Sequence, residues 1–238
     1  MSAMLPMSTG LLLAALLPAI VLLIRVYRMD QIEKEPTSLL LRLLVLGALS
    51  AVPASLIERV LLGLMMRYQY LFEDEMEFLF VENFIAIAVT EEVCKRFPVR
   101  HRAWNDQAFD YRFDAVVYCV FSALGFAAVE NVLYVAQFGF SSAVSRALLS
   151  VPGHFFFAVY MGTFLGEAKM LERRGDHAGA KRFRGLSILV PVILHGFWDF
   201  LLSVQSWEMT AVFYLFVIVF FLCANRRLNR AAEEDTEL

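Results

Sequence analysis

Six ionisable side chains fall within stretches of sequence that are otherwise apolar enough for lipid. Glu91 and Glu92 adjoin in "AVTEEVCKR", Glu130 lies in "FAAVENV", His154 follows "VPG", and His195 and Asp199 share "HGFWD". Carboxylates and imidazoles are the side chains best suited to exchange protons near neutral pH. Each charged acid near mid-bilayer costs about 2.5–3.5 kcal/mol on insertion scales, so together the six would cost roughly 10 kcal/mol if left alone. They must therefore face inward, share protons and hydrogen bonds, or line water. Their spacing favours convergence. His195 and Asp199 are i and i+4, on one helix face, where an acid can orient an imidazole. Phe126 and Glu130 share a face in the same way. Glu91 and Glu92 project about 100° apart at 3.6 residues per turn. One of them can aim at a common cavity, and the other is expected to meet Lys95 or Arg96. Helix breakers flank both histidines: Pro152 and Gly153 precede His154, and Pro191 and Gly196 bracket His195. Broken helices are tolerated in membranes where they line a cavity.

The elements that must position these groups are membrane helices. Of the 238 residues, 59% are apolar and only 19% charged, and Phe alone occurs 22 times. A single soluble core has no use for that much apolar sequence. Seven candidate spans fall at about 8–26, 38–65, 77–97, 114–137, 143–168, 186–204 and 208–224. The expected class is an all-α polytopic membrane protein with its catalytic core from helices 3–6. Residues 1–225 form one transmembrane domain, and 226–238 an acidic tail expected to be disordered. The first span lacks the basic start and small-residue cleavage site of a signal peptide, so it reads as retained. Most of the 21 Lys and Arg residues fall after spans 1, 3, 5 and 7. That alternation predicts an outside N-terminus and a cytoplasmic C-terminus. Cys94, Cys119 and Cys223 match no zinc or disulfide pattern and read as apolar filler. The basic loops read as topology signals, not nucleic-acid sites. Depth poses one problem: at 1.5 Å per residue, Glu130 lies about 24 Å along its helix from Asp114, while Glu91 lies near the basic end of its own. The two meet only if the fourth helix is steeply tilted or, the favoured expectation, begins well inside the cytoplasm.

No "HExxH", "GxSxG" or "GxGD" is present, which argues against three common hydrolase types. What remains is a Glu/Glu/Glu/His/His/Asp set from four consecutive helices. In order, "EEVCKR" fits EExxK and EExxxR, "FAAVEN" fits FxxxEN, "HFFFAVYMG" is a His with Gly eight residues on, and "HGFWD" fits HxxxD. This series resembles the PrsW-type intramembrane proteases, relatives of the CAAX prenyl endopeptidase and bacteriocin-processing superfamily. "RMDQIEKEP" and "GALSAVPASLIE" resemble the same family, so the likeness runs to about residue 225. Two departures from the wider superfamily stand out: Glu130 where the prenyl endopeptidases have His, and a His195–Asp199 pair where they have His and Asn.

The resemblance implies peptide-bond hydrolysis by a glutamate-activated water, without a cofactor. In that reading Glu91 is the base, with Glu92 its partner or alternate, and His154 helps hold the water. His195, held by Asp199, donates to the oxyanion. Glu130 shares a proton, and Lys95, Phe126 and Asn131 support the set. A divalent metal ion held by Glu91, Glu130, His154 and His195 is the alternative within the protease class. A proton-coupled transporter or channel using the buried acids is the alternative outside it, although no internal repeat marks transporter halves. The expected partners are the lipid bilayer and a membrane-protein substrate, such as a single-span protein of a signalling cascade. The expected location is a bacterial inner membrane.

Overall fold

The computed structural model describes residues 9–238, and among these there are seven long helical rods and no strand. We number them α1 (Thr9–Met29), α2 (Thr37–Arg67), α3 (residues 75–103), α4 (Asp114–Phe138), α5 (Phe140–Arg173), α6 (His177–Ser203) and α7 (Trp207–Glu233). Six of them are long and apolar enough by themselves to cross a membrane. The exception is α3, an unbroken rod assembled from short pieces: regular helix at Glu75–Val81 and Thr90–Pro98, and wider π-type turns at Glu82–Val89 and Val99–Ala103. Another π segment, Arg146–Ser150, lies inside α5. Such turns insert a residue into the helical period, and a proline close behind, which lacks an N–H, is the more easily accommodated. The segment in α5 ends two residues before Pro152, and the first one in α3 ends two residues before Glu91.

At the centre stands α4. From Asp114 to Ala127 every residue is buried, on all faces, as expected of a helix that is apolar all round. It packs against α1 and α2 on one side and α5 on the other, while α6 bridges α3 and α5, and α7 closes against α5 and α6. The α2–α4 contact is made backbone to backbone at two reciprocal glycines. A Cβ on Gly47 would fall 2.0 Å from the Ser122 carbonyl oxygen, and one on Gly125 2.1 Å from that of Leu44. Small residues are what allow membrane helices to approach this closely. Outward faces carry unburied apolar side chains such as Leu13, Leu49, Val60, Leu215 and Leu222, the surface that lipid covers.

An aromatic plug closes the end that carries the basic loops. Trp104, Phe109, Phe113 and Tyr118 are buried there. Lys169 Nζ donates to the Trp104 carbonyl at 2.5 Å, and Arg173 to that of Phe109 at 2.7 Å. The tail that composition marks for disorder is part of this plug. Helix α7 runs on to Glu233, and then Asp235 accepts from the Phe113 N–H, the Thr236 carbonyl from Arg112 and the Asp110 carbonyl from Leu238. One acidic side chain, Asp235, and the backbone of Thr236 and Leu238 find partners here that order a segment whose composition lacks apolar weight.

Candidate active site

A cavity of about 530 Å³ lies between α2, α3, α4, α5 and α6. Its inner end is formed by Glu91, His154 and His195, all buried, and its rim by the exposed Leu133, Tyr134 and Leu202. The rim lies towards the helix ends opposite the basic loops.

Lys95 organises the inner end. Its ammonium, 1% exposed, lies 2.9 Å from Glu91 Oε2, 2.8 Å from Glu92 Oε1 and 2.9 Å from His154 Nδ1. Lysine lies one helical turn after the two acids, so a single cation reaches both. The face of Phe126, 4.7 Å from Nζ, covers it, a favourable placement for a cation out of water. An ammonium only donates, so His154 Nδ1 must accept and the ring proton sits on Nε2. That nitrogen lies 2.9 Å from Glu130 Oε2. His195 has a carboxylate at each ring nitrogen: Glu92 Oε1 at 2.9 Å from Nδ1, and Asp199 Oδ2 at 3.0 Å from Nε2. Only the doubly protonated ring satisfies both acceptors. Glu91 Oε2 is a further 3.8 Å from His195 Nε2. The imidazoles of His154 and His195 meet edge to face, 5.5 Å between centroids.

All six motif residues thus join one network, Glu130 included. The depth problem resolves because α3 is longer than its apolar pattern. It runs 12 residues past Glu91 to Ala103, about 18 Å, so Glu91 lies well inside the rod, and α4 need not extend beyond Asp114. Of the acid pair, Glu91 faces the cavity, while Glu92 lies behind it against Lys95 and His195. Arg96 takes no part: its Nε is buried without a partner.

Two expectations need correction. Asn131 does not touch Glu130. Its amide donates to the Ala15 carbonyl at 2.6 Å and its oxygen accepts from Arg146 Nε at 2.9 Å. Arg146 Nη2 in turn lies 3.0 Å from Glu130 Oε2. The link from Asn131 to Glu130 thus passes through Arg146, a residue that none of the sequence motifs contains. Likewise, the donor atoms close enough to share an ion are those of Glu91, His154 and His195, within 4.8 Å of one another. Glu130 stands behind His154 and is not among them. Sequence reasoning also passed over Glu58, which lines the cavity from α2, and the Asn83–Ser203 bond at 3.1 Å that ties α3 to α6 beside Asp199. The usable signal for Arg146 and Glu58 was that both lay inside candidate spans, where an ionisable group is functional by default.

The match to known proteins covers this whole assembly. The sequence model of a family described as "PrsW family intramembrane metalloprotease" matches residues 35–224, which contain every cavity residue named above. The chain belongs to the PrsW family. Three proteins named "Protease PrsW" agree with this. That of Oceanobacillus iheyensis is 34% identical over 227 residues, 94% of this chain and 97% of the relative. That of Geobacillus kaustophilus is 32% identical over 93% of this chain and 92% of its own length. That of Bacillus subtilis is 34% identical over 88% of each. No solved structure matches the chain. As a PrsW-family member with six apolar membrane-length helices, the protein is an integral-membrane peptidase working within the bilayer on membrane substrates. The transporter reading gives way to that membership.

Proposed function

We propose that this PrsW-family chain hydrolyses a peptide bond inside the cavity with a water activated by Glu91. The observation that carries the reading is the placement of Glu91. It faces the cavity, has Lys95 behind it, and has His195 Nε2 3.8 Å away. Glu91 takes a proton as the water oxygen bonds to the carbonyl carbon. His195, held by Glu92 at Nδ1, shares its Nε2–H between Asp199 and the developing oxyanion. The C–N bond then breaks, and the proton held by Glu91 passes to the leaving amine. His154 keeps the Nε2–H form through Lys95 and Glu130, and Arg146 offsets the Glu130 charge at the rim. The substrate is a membrane-protein segment, its bond presented from the rim. With the basic loops taken as cytoplasmic, cleavage falls towards the outer face, and the product feeds a signalling response.

A second reading has its own support. Two histidines and a glutamate, each histidine backed by a carboxylate, are a donor set suited to a divalent metal. Glu91, His154 and His195 would hold it, with Glu92 and Glu130 orienting the rings. Such an ion polarises a carbonyl and lowers the pKa of bound water. Lys95 already sits on two of these three donors, which is why the glutamate-and-water reading comes first. The experiment is cleavage of a single-span membrane protein co-reconstituted with purified wild type or Glu91→Gln, before and after exhaustive chelation, with metal content measured. The first reading expects cleavage by wild type at an unchanged rate after chelation, and none by the variant. Cleavage lost on chelation and restored by zinc establishes the second. Fragments from Glu91→Gln at the wild-type rate overturn both.

A further inference from the structure

Away from the cavity, at the basic-loop end, a groove of about 490 Å³ lies between α2 and the end of α3, lined by Leu41, Arg42, Val45, Leu46 and Arg102. Its two arginines come from different helices and are exposed, and neither guanidinium has a hydrogen bond or ion pair among the described residues. Four other arginines are matched to carboxylates, Arg112 to Glu167, Arg146 to Glu130, Arg184 to Glu172 and Arg230 to Glu234, whereas no carboxylate reaches Arg42 or Arg102 among the described residues. The groove therefore keeps two uncompensated positive charges. Its remaining wall is apolar and open to the surroundings, with Leu41 and Val45 each 54% exposed.

Depth says what surrounds it. Immediately after Arg42 the sequence is free of charge from Leu43 to Ile57, and Arg102 closes the basic stretch that follows Lys95. Both guanidiniums thus stand where hydrocarbon gives way to water, and the apolar wall continues from them into the hydrocarbon. We propose that this groove binds an anionic phospholipid, its phosphate between Arg42 and Arg102 and an acyl chain along Leu41 and Val45. Guanidinium matches phosphate oxygens in geometry as well as charge. A zwitterionic lipid brings its own cation and gains little from the pair. The bound lipid would clamp α2 to α3, the helices that carry Glu58 and Glu91 into the cavity.

The test is displacement of pyrene-labelled phosphatidylglycerol from the purified full-length chain in neutral detergent, read as energy transfer from tryptophan. Juxtamembrane arginines each favour anionic lipid by roughly fivefold, so two give about 25-fold. Unlabelled phosphatidylglycerol should displace the probe about 25-fold better than phosphatidylcholine. Arg42→Gln and Arg102→Gln should each lose about fivefold of that preference, and the double variant nearly all of it. Arg67→Gln, at the other end of α2, should retain it. Equal displacement by the two lipids, or a preference that survives in the double variant, overturns the proposal. Displacement by glycerol 1-phosphate at the same concentration as the lipid overturns it too, since the site would then take a free anion. Should the double variant fail to fold, the two single variants decide.

Discussion

Replacing Lys95 by Met tests the architecture of the site most directly. Methionine keeps the apolar stem of the side chain and is one atom shorter, so packing along the stem changes little. What is lost is the charge that sits 2.9 Å from Glu91, 2.8 Å from Glu92 and 2.9 Å from His154. Removing one member of a buried ion pair costs about 3–5 kcal/mol, because the other is left charged without compensation. Here two adjacent carboxylates are left, both under 10% exposed, so the upper half of that range is expected. For a chain of this size it corresponds to a fall in melting midpoint of roughly 10–20 °C. A second substitution makes the argument specific. Glu92→Gln removes one stranded charge, so the double variant should recover part of the loss, with a coupling of about 1–3 kcal/mol. The assay is thermal unfolding in detergent of wild type, the two single variants and the pair. A Lys95→Met protein melting within 2 °C of wild type, or losses that simply add, would refute the view that this cation holds the site together.

Other expectations follow from the same geometry. Asp199→Asn leaves the fold intact, since that side chain is 27% exposed, but replaces the carboxylate at His195 Nε2 with a neutral amide that no longer offsets the charge of the ring; cleavage of a reconstituted substrate should drop about 10²-fold or more. Gly125→Ala places a methyl group 2.1 Å from the Leu44 carbonyl and should cost about 1–3 kcal/mol. Gly63→Ala, with nothing within 4 Å of the new carbon, should be neutral or gain up to about 1 kcal/mol; thermal shift separates the two. In the loop after α1, burial raises Glu35 to about 7, against the opposing hydrogen bond it accepts from Tyr118, and Asp30 to about 6. A raised acid binds its proton more tightly folded than unfolded. This stability is therefore complete below the ordinary carboxylate range and is lost as pH rises towards 7. Glu35→Gln should flatten the fall in melting midpoint between pH 5 and 8; an unchanged slope would assign it elsewhere.

What the sequence determined by itself was whatever depends on solvent and on local spacing. Apolar runs long enough for a bilayer specify membrane rods, and charges within them must converge because lipid leaves no other option. Hence Glu91, Glu92, Glu130, His154, His195 and Asp199 could be named before any fold was known, while spacing alone left open whether Lys95 or Arg96 meets the acid turned from the cavity. Tertiary structure decided what depends on phase and on distant partners. The π turns at Glu82–Val89 and Arg146–Ser150 shift the helical register, and no apolar periodicity records them. Whether Arg146 faces water or Glu130, and whether Asn131 serves Glu130 or the Ala15 carbonyl, rests on how α1, α4 and α5 lie together. The order of the acidic tail arises the same way, from the backbone N–H groups of Arg112 and Phe113 and the carbonyl of Asp110, more than 120 positions away in the chain. Local composition carries no trace of a partner that only packing brings near.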